Sequence, residues 1–228
     1  MNRQNFTLGY GLEKLFDVVV YHHRKKMYRI LKPVLSDAKF KSILDVGSTA
    51  DIGKSSNAFL HFFKADTIVS VSDQEITETT RGQFPHIEFR KDNGLELDIE
   101  DSSFDLVFSN AVIEHVGNLQ NVERFILEAV RVAKYRVVLI TPNRWFPLET
   151  HTKLLFLHWF PPKYFRLFLK KLGMKFFSME ENLNLLSKSM LHSVLINQNI
   201  ADFHLSYVHF LGYPSNIVVN INVNQGLH

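Results

Sequence analysis

The sequence predicts an α/β fold: a doubly wound, mostly parallel sheet (Rossmann-like), with a helical cap insertion after the fifth strand and a C-terminal antiparallel hairpin. Two observations support this. Short runs rich in Val, Ile and Leu recur over residues 42–140 and alternate with segments of helical spacing. Towards the C-terminus, apolar and polar residues alternate with period two, as in antiparallel strands. A chain of 228 residues with 46% hydrophobic content can bury one large core.

The elements follow in order along the chain. Apolar residues at helical spacing predict a leading helix over 11–32 that stops near Pro33. A short helix is expected at 56–63, and apolar positions three and four residues apart predict an amphipathic helix over 122–133. Ser187 is expected to cap a further helix. The parallel strands are predicted at 42–46, 67–72, 87–90, 103–109 and 136–140.

Composition narrows the functional classes. Net charge is +3 and pI about 9.0, with one basic cluster, His22-His23-Arg24-Lys25-Lys26, interpreted as a solvated helix face, so no nucleic-acid partner is expected. Cysteine is absent, which fits a cytoplasmic protein. The N-terminus lacks a secretory apolar region, and no apolar run approaches the roughly 20 residues of a membrane span. His22 with His23, and His151 with His158, lack metal-ligand grouping, so no metal is predicted.

The turn from Ile43 to Gly53 is the strongest functional feature. An apolar strand ends at Asp45 and runs into Gly47 and other small residues, which brings backbone N–H groups to the carboxyl edge of a sheet. This pattern predicts a nucleotide-like cofactor. A dinucleotide fingerprint counted from Gly47 would need glycine at Thr49 and Ile52, so a nicotinamide oxidoreductase is disfavoured.

Several segments resemble the class I S-adenosylmethionine-dependent methyltransferases, those of the methyltransferase type 11 group in particular. Leu44-Asp45-Val46-Gly47 is similar to the family's first motif, although Thr49 replaces its second glycine. Asp92-Asn93-Gly94 and the run from Asp101 to Val116 resemble the segment that passes the adenine and carries the fourth strand. The matching motifs cover about 40–145, and Thr141 to Thr152 looks like a bacterial subgroup of these enzymes.

The resemblance implies S-adenosyl-L-methionine as cofactor and assigns roles to individual residues. Backbone N–H groups of the turn would hold its carboxylate, and Asp45 its ammonium group. Asp73, or Ser72 one residue earlier, would accept bonds from the ribose, and Asp92 or Asn93 would meet the adenine. The cofactor-binding candidates are Asp45, Gly47, Ser48, Thr49, Ser72, Asp73, Asp92, Asn93, Gly94, and, beneath the sulfonium, Asn110 and Ala111.

Three residues are candidates for catalysis. His115 comes just after the fourth strand, either as proton acceptor or as a packing residue. Glu149 and His151 follow the fifth strand, where α/β proteins bind ligands, and would contact substrate or take part in catalysis. The expected activity is methyl transfer to O or N of a small-molecule, saccharide or lipid-linked acceptor. The alternative is an inactive cofactor-binding or scaffold protein of the same fold.

The region after the fifth strand should select the substrate. Residues 145–177 are both aromatic and basic. The favoured interpretation is a helical cap whose aromatic side chains form core. The other is an interfacial element that makes peripheral membrane contact with anionic head groups. The chain is thus expected to be a single methyltransferase domain, 1–228, with a leading helix (1–36), a cofactor-binding core (40–141), a cap (142–200) and a closing hairpin (201–228); its oligomeric state is not predicted.

Overall fold

A computed structural model describes residues 10–53 and 55–223, with the backbone alone for 10–13. The last residues of the predicted hairpin, 224–228, lie outside the described residues. The strands are β1 (Ser42–Val46), β2 (Thr67–Ser72), β3 (Glu88–Lys91), β4 (Phe104–Asn110), β5 (Ala133–Pro142), β6 (Phe203–Phe210) and β7 (Tyr213–Asn222). The helices are α1 (Tyr10–Leu35), α2 (Glu78–Gln83), α3 (Leu119–Val132), α4 (Pro162–Lys171) and α5 (Lys188–Asn197).

The strands form one sheet in the order β3-β2-β1-β4-β5-β7-β6. Neighbouring strands from β3 to β5 pair in parallel, whereas β7 is antiparallel to both β5 and β6. The predicted fold class, including the C-terminal antiparallel hairpin, is confirmed. Because parallel strands end at the same edge, the segments that follow β1, β2, β4 and β5 meet there, where ligands of open α/β sheets bind.

Period-two alternation divides the sheet into two buried faces. On β1, Leu44 belongs to the core cluster that includes α3 and α5 residues, whereas the adjacent Ile43 belongs to the cluster that includes α1 residues. Both side chains are at most 1% exposed. Burial of an aliphatic side chain of this size stabilises the fold by roughly 1.5–3 kcal/mol, so these two layers hold the carboxyl edge of the sheet in place.

The leading helix differs from its prediction in two respects. It continues past Pro33 to Leu35, because Pro33 removes only one backbone donor while Leu35, at 2% exposure, is buried in the core. The interpretation of residues 22–26 as a solvated face is also wrong for two of them. His23 and Arg24 are part-buried, and Arg24 donates a hydrogen bond to the Ser55 carbonyl.

The region predicted as a cap consists of two parts. Phe165 and Leu169 of α4 form a small cluster of their own with Leu183 and Leu185, separate from the sheet. Helix α5, which Ser187 caps as predicted by accepting from the Met190 N–H, packs instead on the main core.

The favoured interpretation of the cap aromatics as core is wrong for most of them. Large apolar side chains at least 40% exposed are Trp145, Leu155, Phe156, Trp159, Phe160, Tyr164, Leu167, Phe168 and Leu172. Across the described part of the chain, no helix has both the length and the apolar character that crossing a bilayer requires. Much of the cap surface is therefore made of exposed apolar side chains.

Candidate active site

The turn after β1 requires glycine at its first position. Gly47 has φ of +106°, a conformation that side chains disfavour, and a Cβ built there would overlap the Val112 side chain. Val112 follows β4, so the ends of β1 and β4 approach each other through this glycine. Gly47 and Ser48 both direct their N–H groups to the Val71 carbonyl, at 2.8 and 3.4 Å.

The rest of the turn is held by its own hydrogen bonds. The Thr49 N–H donates to Asn57 Oδ1 (2.9 Å), and Asn57 Nδ2 donates to the Thr49 carbonyl (2.8 Å). The Asp51 N–H donates to Thr49 Oγ1 at 3.3 Å. The sequence predicts that these N–H groups bind the cofactor carboxylate, but in the structure they already have acceptors. A ligand must therefore displace Asn57 or the Thr49 hydroxyl to use them.

Asp45 lies inside the sheet and keeps one strong partner. Its side chain is 7% exposed, and Ser70 Oγ on β2 donates to Oδ2 at 2.6 Å. Burial raises the pKa of Asp45 to about 6, although the Ser70 hydrogen bond partly opposes the shift. A cationic group next to this carboxylate would favour its charged form, which suits Asp45 for an ammonium ligand.

The ribose candidates sit at the end of β2. Ser72 is the last strand residue and is buried, with Oγ accepting from the Gln74 N–H at 3.1 Å. Asp73 follows immediately and is exposed at the sheet edge. Because the Ser72 hydroxyl already serves the turn, Asp73 is the better placed of the two to accept bonds from a diol.

The segment after β3 is a tight loop held by its own side chains. Asp92 accepts from the Asn93 and Asp98 N–H groups (2.7 and 3.0 Å), and Asn93 Oδ1 accepts from the Leu95 N–H (3.0 Å). A Cβ at Gly94 would lie 2.7 Å from Phe125 Cε2, so only glycine fits. Asp92, Asn93 and Gly94 therefore all shape the loop. Because the side-chain oxygens of Asp92 and Asn93 already accept hydrogen bonds within it, they are only partly available to an adenine.

The segment after β4, where the sequence predicts the sulfonium, turns sharply. Asn110 ends the strand half-buried, and Ala111 adopts a left-handed φ of 59°. The Ala111 N–H donates to the Ile140 carbonyl of β5 at 2.8 Å. This bond ties the ends of β4 and β5 together and positions the next residues along the chain over the end of β5.

The three catalytic candidates come together there with Glu114, as a polar cluster of four residues. His115 Nδ1–H donates to the Asn182 carbonyl (2.6 Å), and His151 Nδ1–H donates to Glu149 Oε1 (2.7 Å). The two Nε2 atoms lie 3.0 Å apart, with the rings perpendicular at 89°. Glu114 Oε1 is 4.0 Å from both Nε2 atoms. The cluster is half-buried, because the His115 and His151 side chains are 29% and 19% exposed.

The two carboxylates of the polar cluster have opposite pKa shifts. Burial raises the pKa of Glu114, against the charge of His151 and the hydrogen bond that Thr141 Oγ1 donates to Oε2 (2.9 Å). Burial also favours neutral Glu149, but the charge of His151, with hydrogen bonds from His151 and Thr152, outweighs it and lowers the pKa to about 2. Glu149 is thus a fixed anion that orients His151.

Other polar residues near the site were not among the predicted site residues. Asp17 and Arg24 of α1 both hold Ser55, Asp17 by accepting from its N–H (3.0 Å) and hydroxyl. Burial lowers the pKa of Arg24, and the negative charges of Glu114 and Asp17 partly offset this shift. Their spacing of seven residues, two helical turns, puts them on one face of α1 and could have indicated this role. Asn57, the partner of Thr49, carried no motif that would have pointed to it.

His158, by contrast, is not part of this cluster. Its Nε2–H donates to the Phe146 carbonyl at 2.8 Å, and burial lowers its pKa. His151 lies against His115 instead, with the two Nε2 atoms 3.0 Å apart.

Comparisons with known proteins agree with this fold. Residues 44–141 match the family model described as a methyltransferase domain. Similar solved structures include an S-adenosylmethionine-dependent methyltransferase of Thermotoga maritima (15% identity, 94% of this chain and 97% of that one, TM-score 0.60). Others are magnesium protoporphyrin IX methyltransferase of Synechocystis with bound S-adenosylhomocysteine (13%, 96% and 89%, 0.57) and a methyltransferase of Aquifex aeolicus (16%, 86% and 88%, 0.53). No significant match was found among curated proteins.

Residues 44–141 are thus similar to a methyltransferase domain, and the fold is that of S-adenosylmethionine-dependent methyltransferases, which indicates S-adenosylmethionine as the cofactor. The residues at the carboxyl edge fit such a ligand in one specific respect. Asp45 is a buried carboxylate whose charge is unfavourable until a cation approaches, and the cofactor carries an ammonium group.

Proposed function

We propose that this protein transfers the methyl group of S-adenosylmethionine to an oxygen or nitrogen atom of a small-molecule, saccharide or lipid-linked acceptor. The polar cluster at the ends of β4 and β5 carries the proposal. A sulfonium methyl group is already a strong electrophile, so the protein has to align the nucleophile, exclude water and remove a proton. The cluster supplies imidazole nitrogens close to Asn110 and Ala111, where the cofactor's sulfonium is expected.

In this proposal each site residue has a defined task. Asp45 binds the cofactor's ammonium group, and the Gly47–Thr49 turn holds its carboxylate after Asn57 gives way. Asp73 accepts from the ribose. The acceptor loses its proton at His115 and His151, and the anionic Glu149 stabilises the positive charge that forms on His151.

The cap favours an amphiphilic acceptor. Helix α4 exposes Leu167 (52%) and Phe168 (40%), and Phe160 beside it is 59% exposed, while Lys163, Lys170 and Lys171 lie on the same short helix. Apolar side chains with cations around them match a surface of anionic lipids. We therefore propose that 145–177 makes peripheral membrane contact and admits a lipid-linked substrate.

Labelled methyl transfer tests the reaction. The protein is incubated with methyl-labelled S-adenosylmethionine and a total bacterial extract, and the label is measured separately in the organic and aqueous phases. The proposal predicts label in a product, mainly in the organic phase. Binding of S-adenosylhomocysteine without transfer to either phase would favour the scaffold alternative and contradict the proposed activity.

Vesicle flotation tests the cap. The wild type should float with anionic vesicles, and Phe160→Ser combined with Leu167→Ser should remain at the bottom of the gradient. Leu211→Ser is the matched control, because Leu211 is 82% exposed but lies on the β6–β7 turn, outside residues 145–177. Equal flotation of all three proteins, or none of the wild type, would contradict the membrane contact.

A further inference from the structure

We infer that Glu114, His115 and His151 form a binding site for one divalent transition cation. These residues lie on the segments that follow β4 and β5, and one ligand atom from each lies within 4.8 Å of the others. The site goes beyond the proposed methyl transfer, because binding of the ion depends only on these three side chains and their supports. Its role in the reaction, by contrast, rests on the proposed function.

The hydrogen-bond partners of His115 and His151 determine which ring nitrogen bears the proton. The Asn182 carbonyl can only accept, so His115 bears its proton on Nδ1. Glu149 Oε1, which already accepts the His151 backbone N–H, likewise accepts from Nδ1 of His151. In their neutral forms the two rings then present Nε2 lone pairs, with the Nε2 atoms 3.0 Å apart. Two lone pairs at that distance repel unless a proton or a cation lies between them.

The Glu114 carboxylate decides between a proton and a cation. Its Oε1 is buried and accepts no hydrogen bond from any residue that the structure describes, while Oε2 is served by Thr141. Leaving a buried carboxylate oxygen without a partner destabilises the folded state. A proton shared by the two imidazoles lies too far from Oε1 to satisfy it, whereas a cation can contact all three atoms.

The distances fit a transition cation. The three ligand atoms form a triangle with sides of 3.0, 4.0 and 4.0 Å. The point equidistant from its corners lies about 2.2 Å from each, close to the usual bond lengths of about 2.0–2.2 Å from zinc to imidazole nitrogen and carboxylate oxygen. Two imidazoles and one carboxylate favour zinc, iron, cobalt or manganese over magnesium and calcium.

The surroundings provide the supports that metal-bound histidines require. Each imidazole donates its other N–H group to an oxygen, His151 to the Glu149 carboxylate and His115 to a backbone carbonyl. The partial exposure of both rings leaves room for a further ligand from the cleft. In the proposed reaction that ligand is the acceptor hydroxyl. The cation lowers its pKa so that it loses its proton to solvent water, and with the ion bound the imidazoles are ligands in place of proton acceptors.

Cobalt binding tests the site without any methyl transfer. The full chain, freed of metal with a chelator, is titrated with Co²⁺ alone and followed by visible absorption and calorimetry. One equivalent should bind, with bands typical of nitrogen and oxygen coordination, and excess Mg²⁺ should not displace it. Absence of saturable Co²⁺ binding to the wild type, or displacement by Mg²⁺, would overturn the inference.

Variants assign the ligands. His151→Ala and Glu114→Gln should each weaken Co²⁺ binding more than about 100-fold, and Glu149→Gln, which affects only the support of His151, by about 10- to 100-fold. His204→Ala is the matched control, because His204 is exposed on β6, and it should bind Co²⁺ like the wild type. Affinity of Glu114→Gln equal to that of the wild type would refute the site.

Two controls separate this inference from other failures. Each variant is first melted, and if His151→Ala no longer unfolds cooperatively, Glu114→Gln decides, since its amide keeps the volume of the side chain. Binding of S-adenosylhomocysteine is measured in parallel. Cobalt binding without S-adenosylhomocysteine binding would support the metal site and contradict the proposed function. S-adenosylhomocysteine binding without cobalt binding would contradict the metal site and support the proposed function.

Discussion

Replacing the buried Asp45 with asparagine should stabilise the protein near neutral pH. Its pKa is about 6 in the folded chain against 3.8 in the unfolded one. The folded state therefore holds the proton more tightly, and the stability that the neutral carboxyl contributes is lost as pH rises through about 4 to 6. A shift of this size corresponds to about 3 kcal/mol in all. Asp45→Asn removes the titration while keeping the shape of the side chain.

Urea unfolding of both proteins at two pH values measures the effect. Linkage over that range predicts that the variant gains about 2 kcal/mol relative to the wild type between about pH 4.5 and about pH 7.5. Any constant cost of the new amide cancels in this difference. A gain below about 0.5 kcal/mol, or a change in the opposite direction, would refute the burial argument for Asp45.

Two further substitutions test the packing and the turn. Gly94→Ala should lower the free energy of unfolding by about 1–3 kcal/mol in urea, because its Cβ would lie 2.7 Å from Phe125 Cε2, whereas Gly82→Ala, with open space around it, should not destabilise the protein. Equal stability of both variants would contradict this packing. Thr49→Gly should tighten S-adenosylhomocysteine binding by up to about tenfold in calorimetry, since it removes a branched side chain and releases the Asp51 N–H; weaker binding would show that the threonine supports the site.

Much of the fold followed from the sequence, because the strands of a parallel sheet are buried on both faces. Residues 137–140 are all apolar and buried, so a strand was predictable there, whereas the order of the strands in the sheet was not predicted. The exposure of the cap was harder to predict. Composition records that Phe160 and Leu167 are apolar, but not that no other part of the described chain covers them.

The contact between the two histidines of the polar cluster could not be predicted from the sequence either. His115 and His151 are 36 positions apart, and each alone fits packing or catalysis equally well. Their contact depends on the parallel pairing of β4 with β5, in which Asn110 lies opposite Ile140. Sequence reasoning placed both histidines after sheet strands, but it could not determine that these strands are neighbours in a register that joins the two side chains.

Calorimetric titration with S-adenosylhomocysteine, with NAD as the matched dinucleotide, tests the central claim most directly. The claim is that the carboxyl ends of β1, β2 and β4 form a cofactor site for a sulfonium nucleoside. One equivalent of S-adenosylhomocysteine should bind per chain, Asp73→Asn should weaken it, and NAD should produce no binding heat. Absence of S-adenosylhomocysteine binding, or equal binding of NAD, would contradict the account.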